Sequence, residues 1–323
     1  MEVLKREESA AARGSVVTLG NFDGIHLGHR RILERVRTRA RELGAPSTVY
    51  TFEPHPLKVV APEKSPPLIL PLEEKIRLIG GLGIDYLVLA DFTKEFASQK
   101  PRRFVVDELV ERLAVREVMV GHDFSFGKGK GGTVEQLAEL GRELGFAVTV
   151  IGALTVDGEV VSSSRIRRLI GDGRVGEAAR LLTRPFTVYG EVVRGKGLGA
   201  RLGFPTANIA VETELLPRRG VYAAAVECGP TARRGVANVG TAPTAGGKDL
   251  GVEVHILDFD GDLYGSRVAV GFLRRLRDER RFDSLEELAA RIRDDCAAAR
   301  RVFDEEAAAE ETDEKECGDG WAR

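Results

Sequence analysis

Two patterns share one chain, and the change from one to the other limits its fold more than any other feature. In the first half, short apolar runs alternate with amphipathic stretches. "SVVTLG" reads as a buried strand, and "GHRRILERVRTRARELG" as a helix with Ile32, Leu33, Val36 and Leu43 along one side. "STVYTF", "DYLVLA", "REVMVG" and "FAVTVIG" are further strands. "PLEEKIRLIGGLG", "PRRFVVDELVERL" and "VEQLAELGRELG" are the helices between them. Such alternation specifies crossover units and a mostly parallel sheet. "SRIRRLIGDGRVGEAARLL" adds two short helices parted by a glycine turn. After Arg184-Pro185 the helices stop. "FTVYGEVV", "GVYAAAVE", "RGVANVG", "GVEVHILDF" and "SRVAVGFL" are Val-rich strands with glycine turns, the pattern of an antiparallel barrel or sandwich. One helix, "SLEELAARIRDDCAAARRVF", is expected to pack on it. The acidic end, "DEEAAAEETDEKECGDGWAR", reads as a disordered tail. The expected domains are therefore 1–183, 184–303 and a tail at 304–323.

The totals agree with two domains, because 323 residues exceed one comfortable core. A net charge of -2 gives no bulk electrostatic case for nucleic acid or an acidic membrane as partner. Cys228, Cys296 and Cys317 are scattered and odd in number, which argues against a disulfide framework or a zinc site. No apolar run is long enough to span a membrane, and the charged N-terminus does not resemble a secretion signal. The expected location is the cytoplasm. The oligomeric state stays open.

The first candidate site is "GNFDGIHLGH", Gly20 to His29, at a strand-to-helix junction. Ligands of open parallel sheets bind beyond the carboxyl ends of strands, and a helix N-terminus there favours phosphate. His26 and His29 stand three apart across the helix start and can face the same way. Their imidazoles can hold phosphate oxygens while charge builds in a transition state. For a single histidine here, capping or polar packing is the plainer role. The H-x-G-H arrangement resembles the signature of the nucleotidylyltransferase superfamily, which implies transfer of a nucleotidyl group without naming the acceptor. Asp123 in "GHDFSFGKGKGG" lies at another strand end, beside a Gly/Lys run that reads either as a ligand cradle or as a surface loop. In "VSSSRIR", Ser164 suits a helix N-cap, and Ser163, Ser164 and Arg167 suit a leaving pyrophosphate.

The second candidate site opens on "GKGLGARLGFPTANI", from Gly195. A glycine-rich loop can wrap a nucleotide, though hairpins use glycine as freely. Thr206 and Asn208 are two apart, so in extended chain their oxygens face one side. A hydroxyl and an amide oxygen suit Mg²⁺ that takes its other oxygens from ATP and water, whereas an Asx-type turn is the simpler reading. In "GVEVHILDF", Val252, Val254 and Ile256 share one face and Glu253 and His255 the other. If that second face lines a pocket, Glu253 can take the proton of an attacking hydroxyl.

Taken in order, "TLGNFDGIHLGH", "TFEPHP", "VGHDFSFGKGKGG", "SSSRIR", "LGFPTANI", "RGVYA", "VEVHILDFDGDLYG" and "LRDERRFDSLEELAARI" make the chain to about Val302 resemble the prokaryotic bifunctional riboflavin kinase/FAD synthetase family. The resemblance implies an α/β chain: an N-terminal Rossmann-like nucleotidylyltransferase parallel sheet, then an antiparallel β-barrel with a packed C-terminal helix. It implies that FMN is made from riboflavin and ATP in the barrel, and FAD plus pyrophosphate from FMN and ATP in the first module, with Mg²⁺ serving both. His26 and His29 then handle ATP phosphates, with Asn21, Asp123, Ser163, Ser164 and Arg167 completing that site. Thr206 and Asn208 correspond to the Mg²⁺–ATP motif, Glu253 to the general base, and Arg277 and Glu279 to the segment near the flavin. Three departures stand out: Ala242 and Ala245 in "NVGTAPTAGG", the "LLTRPF" junction, and Ala200 in "GLGARLG". The rival readings are one surviving activity beside a flavin-binding module, and a flavin-responsive regulator or nucleic-acid-binding protein in which the H-x-G-H turn is vestigial; the near-neutral charge balance weighs against the last.

Overall fold

The computed structural model describes residues 1–195, 197–229, 231–241 and 250–318. Ala242 and Ala245 lie outside them. Packing divides the chain into two units, Met1–Ser163 and Ser164–Arg323.

In the first unit the order is β1 (Glu2–Lys5), β2 (Val16–Leu19), α1 (Leu27–Glu42), β3 (Ser47–Glu53), α2 (Pro56–Val60), α3 (Leu72–Gly81) and β4 (Tyr86–Asp91). Then follow α4 (Lys94–Ala97), α5 (Pro101–Phe104), β5 (Glu117–Gly121), α6 (Val134–Leu144), β6 (Ala147–Ile151) and the small hairpin β7 (Thr155–Val156) and β8 (Glu159–Val160). From α5 the helix runs on as a π-helix, Val105–Arg112. The main sheet is parallel, in the order β1-β4-β3-β2-β5-β6. All four residues of β2 are buried, as a central strand covered on both faces requires. From β2 the chain moves out one way through β3 and β4, then returns to the other side through β5 and β6. The carboxyl ends of β2 and β5 therefore flank the point where strand order reverses, where sheets of this kind place ligands. Strand β1 was not expected, and it pairs with β4 at the sheet edge. Beneath the sheet the fully buried Glu108 carboxylate accepts from the Tyr50 hydroxyl at 3.0 Å and from Arg6 Nε at 3.1 Å. This pins the N-terminal turn to the core. Burial, and then the Glu108 charge, raise the Tyr50 pKa.

The second unit starts with α7 (Ser163–Gly171) and α8 (Val175–Leu182), and continues through β9 (Phe186–Val193), α9 (Leu198–Arg201), β10 (Ala207–Val211), β11 (Gly220–Cys228), β12 (Thr231–Thr241), β13 (Leu250–Ile256), β14 (Arg267–Arg277) and α10 (Leu285–Gly318). Six strands close an antiparallel barrel, β10-β13-β12-β11-β14-β9. Closure leaves no sheet edge open. Helix α8 packs on β9 and β14, and α7 from Ser164 onward falls in the same unit. The change of pattern at Arg184-Pro185 thus marks where the barrel strands begin. Helix α10 packs Ala299 and Val302 against Val221, Ala223, Val236 and Leu257. It continues past Phe303 as helix through Gly318, where a disordered tail was expected. Ala and Glu fill that stretch, and both are strong helix formers.

Candidate functional site

At the reversal point the loop after β2 is tightly held. Phe22 and Ile25 take positive φ (49° and 43°), and Gly24 takes 95°. Both apolar side chains are buried, which holds this strained turn in place. The Asp23 carboxylate accepts from the Ile69 and Leu70 backbone N–H groups at 3.0 and 3.3 Å. Ser163 Oγ donates to the Asp23 carbonyl at 2.8 Å. The turn is thus tied both to the loop before α3 and to Ser163, the last residue of the same unit.

His26 is the N-cap of α1, and its Nδ1 accepts from the His29 backbone N–H at 3.3 Å. That bond fixes the proton of a neutral His26 on Nε2 and leaves Nε2–H as its donor. The two imidazoles stack, centroids 3.6 Å apart and planes at 16°. A Cβ on Gly28 would come within 3.2 Å of the His26 ring, so glycine gives the ring its room. His29 Nδ1 is buried and makes no hydrogen bond within the chain. Burial holds the His29 pKa well below 6.5, with His26 and Lys75 adding to the effect. The ring is therefore neutral at pH 7 and keeps one N–H to donate.

Around this pair, beside the expected Asn21, the structure adds His55, Lys75 and three phenylalanines that were not named as site residues. Asn21 Nδ2 faces His55 Nε2 at 3.3 Å, while His55 Nδ1 accepts from Leu57 N–H at 3.2 Å as the cap of α2. Since His55 Nδ1 accepts, Nε2 carries the proton, and the Asn21 atom facing it is best assigned as the amide oxygen. Lys75, in the first turn of α3, is buried. Burial lowers its pKa, and the Glu53 and Asp23 charges oppose that shift. Phe52, Phe92 and Phe96 form a half-buried aromatic group at the ends of β3 and β4, with centroids 5.4–5.8 Å apart. Neither a buried lysine on a helix nor aromatics from separate strands leave a local sequence signal.

Asp123 lies past the end of β5, and a Cβ on Gly121 would sit 3.2 Å from its Oδ1 and 3.8 Å from Ile32 of α1, so glycine leaves room for both side chains. The Gly/Lys run behind it is a closed turn: Phe126 and Gly132 bridge, and a Cβ on Gly127 would strike Pro101. Ser164 is exposed and sits one residue inside α7, past the N-cap position expected for it; Arg167 follows a turn later.

In the barrel, register assembles the second site. Asn208 of β10 is paired with Glu253 of β13, and Glu253 in turn with Asn238 of β12. Partners directly opposite in a sheet share a face, so these three half-buried polar side chains form one row across three strands. The glycine loop closes over one end. A Cβ on Gly195 would run into the Asn208 amide, and one on Gly199 would lie 3.2 Å from Thr206 Oγ1. At the other end Glu279 Oε1 packs against Gly240, and Asn238 Nδ2 crowds the same point. Arg277 pairs with α10: its Nη2 meets Asp295 Oδ2 at 2.7 Å and its Nε meets Oδ1 at 2.9 Å. Ala200 is exposed on α9. Asn238 was missed because only strand register brings it beside Glu253.

Among the described residues no group of three or more His, Cys, Asp or Glu could hold a metal ion, and no helix is long and apolar enough to cross a membrane. Cys228 and Cys296 are free thiols.

The FAD synthetase family model matches residues 8–165, and the riboflavin kinase model residues 182–303. The bifunctional riboflavin kinase/FMN adenylyltransferase of Escherichia coli is 40% identical over 91% of this chain and 94% of its own length. The protein of the same description from Bacillus subtilis is 36% identical over 93% and 95%. The crystal structure of a macrolide-efflux protein from Streptococcus pneumoniae superposes with a TM-score of 0.84 at 32% identity, covering 93% of this chain and 99% of that one. The order of the two matched models, and identity sustained across both units, mean that this chain belongs to the bifunctional riboflavin kinase/FMN adenylyltransferase family.

Proposed function

We propose that the chain phosphorylates riboflavin with ATP to FMN in the barrel, and joins FMN to the adenylyl group of a second ATP in the parallel-sheet unit. The observation that carries the reading is the Asn208–Glu253–Asn238 row capped by a glycine loop, in a unit separate from the stacked histidines at the α1 N-terminus.

In the barrel, the terminal ribityl hydroxyl attacks the γ-phosphorus of ATP. Glu253 takes its proton as the new O–P bond forms and the bond to ADP breaks. The donor set fits Mg²⁺: an uncharged hydroxyl and amide oxygen held by the glycine loop, beside one carboxylate. Thr206 and Asn208 would hold the ion, which when bound neutralises charge on the transferring phosphoryl group. Gly195 keeps the Asn208 amide in place, and Glu279 with Asn238 borders the far end where the flavin is received.

In the first unit, a phosphate oxygen of FMN attacks the α-phosphorus of ATP, and pyrophosphate leaves. No protein nucleophile is needed. The backbone N–H groups opening α1, His26 Nε2–H, the neutral His29 and the Lys75 ammonium supply donors and positive potential for the growing charge. The aromatic group of Phe52, Phe92 and Phe96 offers the flavin ring a stacking surface. Asn21 and Asp123 border the nucleotide. Ser163 holds the turn through Asp23, while Ser164 and Arg167, one turn apart on α7 with side chains suited to phosphate, fall in the Ser164–Arg323 unit. We take the functional boundary as Thr183–Arg184, with 304–323 as an acidic appendage. We place the reactions in the cytoplasm, where the free thiols stay reduced.

Point variants test the assignment. Glu253→Ala should lower FMN formation by about 10²–10⁴-fold and leave conversion of supplied FMN to FAD intact. His29→Ala should lower FAD formation by roughly 10²–10³-fold and spare the kinase. Chromatography of flavin products reads both. A folded variant that loses both activities would refute independent sites.

A further inference from the structure

The β10–β13 ladder begins at Ala207, opposite Val254. Thr206 therefore lies one residue outside the pairing that fixes Asn208. Continuing the antiparallel register would set Thr206 opposite His255. The His255 side chain reaches across at that position. Its Nδ1 stands 2.8 Å from the Pro205 carbonyl oxygen, and its ring lies T-shaped against Phe204, centroids 5.5 Å apart and planes at 85°. A carbonyl only accepts, so the Nδ1 proton is on His255. Pro205 has no N–H to give to the ladder, so the backbone pairing cannot be extended through its donor. One residue earlier, the Phe204 N–H donates to the Gly199 carbonyl at 2.8 Å. A single side chain on β13 thus braces residues 204–205, and through them the turn that lies over Thr206.

We propose that His255 is a positioning residue of the phosphoryl-transfer site: by holding the Pro205 carbonyl and the Phe204 ring it extends the β10–β13 pairing by one side-chain bridge and sets Thr206 beside Asn208. It touches no substrate. The proposal rests on the reading of Thr206 and Asn208 as the metal–nucleotide pair. The physical reason is local. A 2.8 Å hydrogen bond and an aromatic contact replace the missing ladder bond, and phosphoryl transfer depends on how closely its parts are placed.

Three variants of the full chain separate this role from simple packing. Asn presents an N–H the same number of bonds from Cα as His Nδ1, whereas Gln presents it one bond farther. His255→Ala and His255→Gln should speed amide hydrogen exchange across residues 200–209 in the ligand-free protein. They should also raise the kinase KM for ATP about five- to tenfold, the size of one net hydrogen bond, with the KM for riboflavin and FAD formation from FMN unchanged. His255→Asn should restore both readouts. The proposal is overturned if His255→Asn behaves like His255→Ala, if exchange in 200–209 does not change, or if the riboflavin KM carries the loss. Thr206→Ala with an unchanged ATP KM would instead sink the underlying reading of that pair. The exchange measurement needs no kinase activity and judges the brace by itself.

Discussion

His29 shows how one side chain serves both folding and chemistry. Its Nδ1 is buried without a bond inside the chain, and burial holds the pKa well below the ordinary 6.5. The unfolded chain takes up a proton near pH 6.5 that the folded chain refuses until lower pH. The stability that comes from keeping the ring neutral is thus fully present above about pH 6.5 and lost as pH falls through the lowered pKa. Thermal unfolding should therefore drop more steeply for the native chain than for His29→Asn between about pH 6.5 and 5, and the two should run parallel above pH 7. Parallel curves over the whole range would show that the ring is not held neutral. Gly195 makes the complementary case in the barrel, where the required property is the missing side chain. A Cβ there would displace the Asn208 amide. Gly195→Ala should lower kinase kcat/KM on the order of 10²-fold without changing FAD formation, and steady-state rates of both reactions check it.

At the scale of elements, α10 is the strut of the barrel unit. Arg277 ends β14, and its guanidinium grips Asp295 on α10 through Nε and Nη2. Asp295 is only 3% exposed. Breaking a buried pair from one side strands the other charge, so Asp295→Ala should cost about 3 kcal/mol in urea unfolding of the full chain, while the paired change Arg277→Met with Asp295→Leu should recover much of it. A cost under about 1 kcal/mol would class the pair with surface bridges. This also shows what was legible in the sequence. Arg277 was identified as a residue of interest, but its partner lies on an element whose docking no local pattern encodes. The central strands were legible because continuous apolar runs such as "SVVTLG" can only be buried. Strand β1 was not, since four residues in a charged terminus carry no periodicity. The H-x-G-H turn was legible because its chemistry is contiguous. His55, Lys75, Asn238 and the brace at His255 depend on register and helix docking, and these become visible only in three dimensions.

At the scale of the molecule, each unit has its own core and its own phosphate-handling residues. One core is built around Tyr50, Leu109 and Val118, and the other around Val221, Ala223 and Val302. The stacked histidines belong wholly to Met1–Ser163, and the Asn208–Glu253–Asn238 row wholly to Ser164–Arg323. Neither set of side chains needs the other for its hydrogen bonds, so chemistry at one does not require chemistry at the other on the same polypeptide. The product of the barrel is a substrate of the sheet unit, and FMN is a soluble dianion that water can carry between molecules. Glu253→Ala and His29→Ala chains should each fail to turn riboflavin into FAD, yet an equimolar mixture should succeed. The mixture should show a lag while free FMN accumulates, and the lag should shorten as the total protein concentration rises. Native chain at the same concentration should release measurable FMN before FAD. Time courses by chromatography decide the matter: a mixture that makes FMN and no FAD, although the Glu253→Ala chain converts added FMN, would mean that the barrel's product reaches the histidine site only within one molecule.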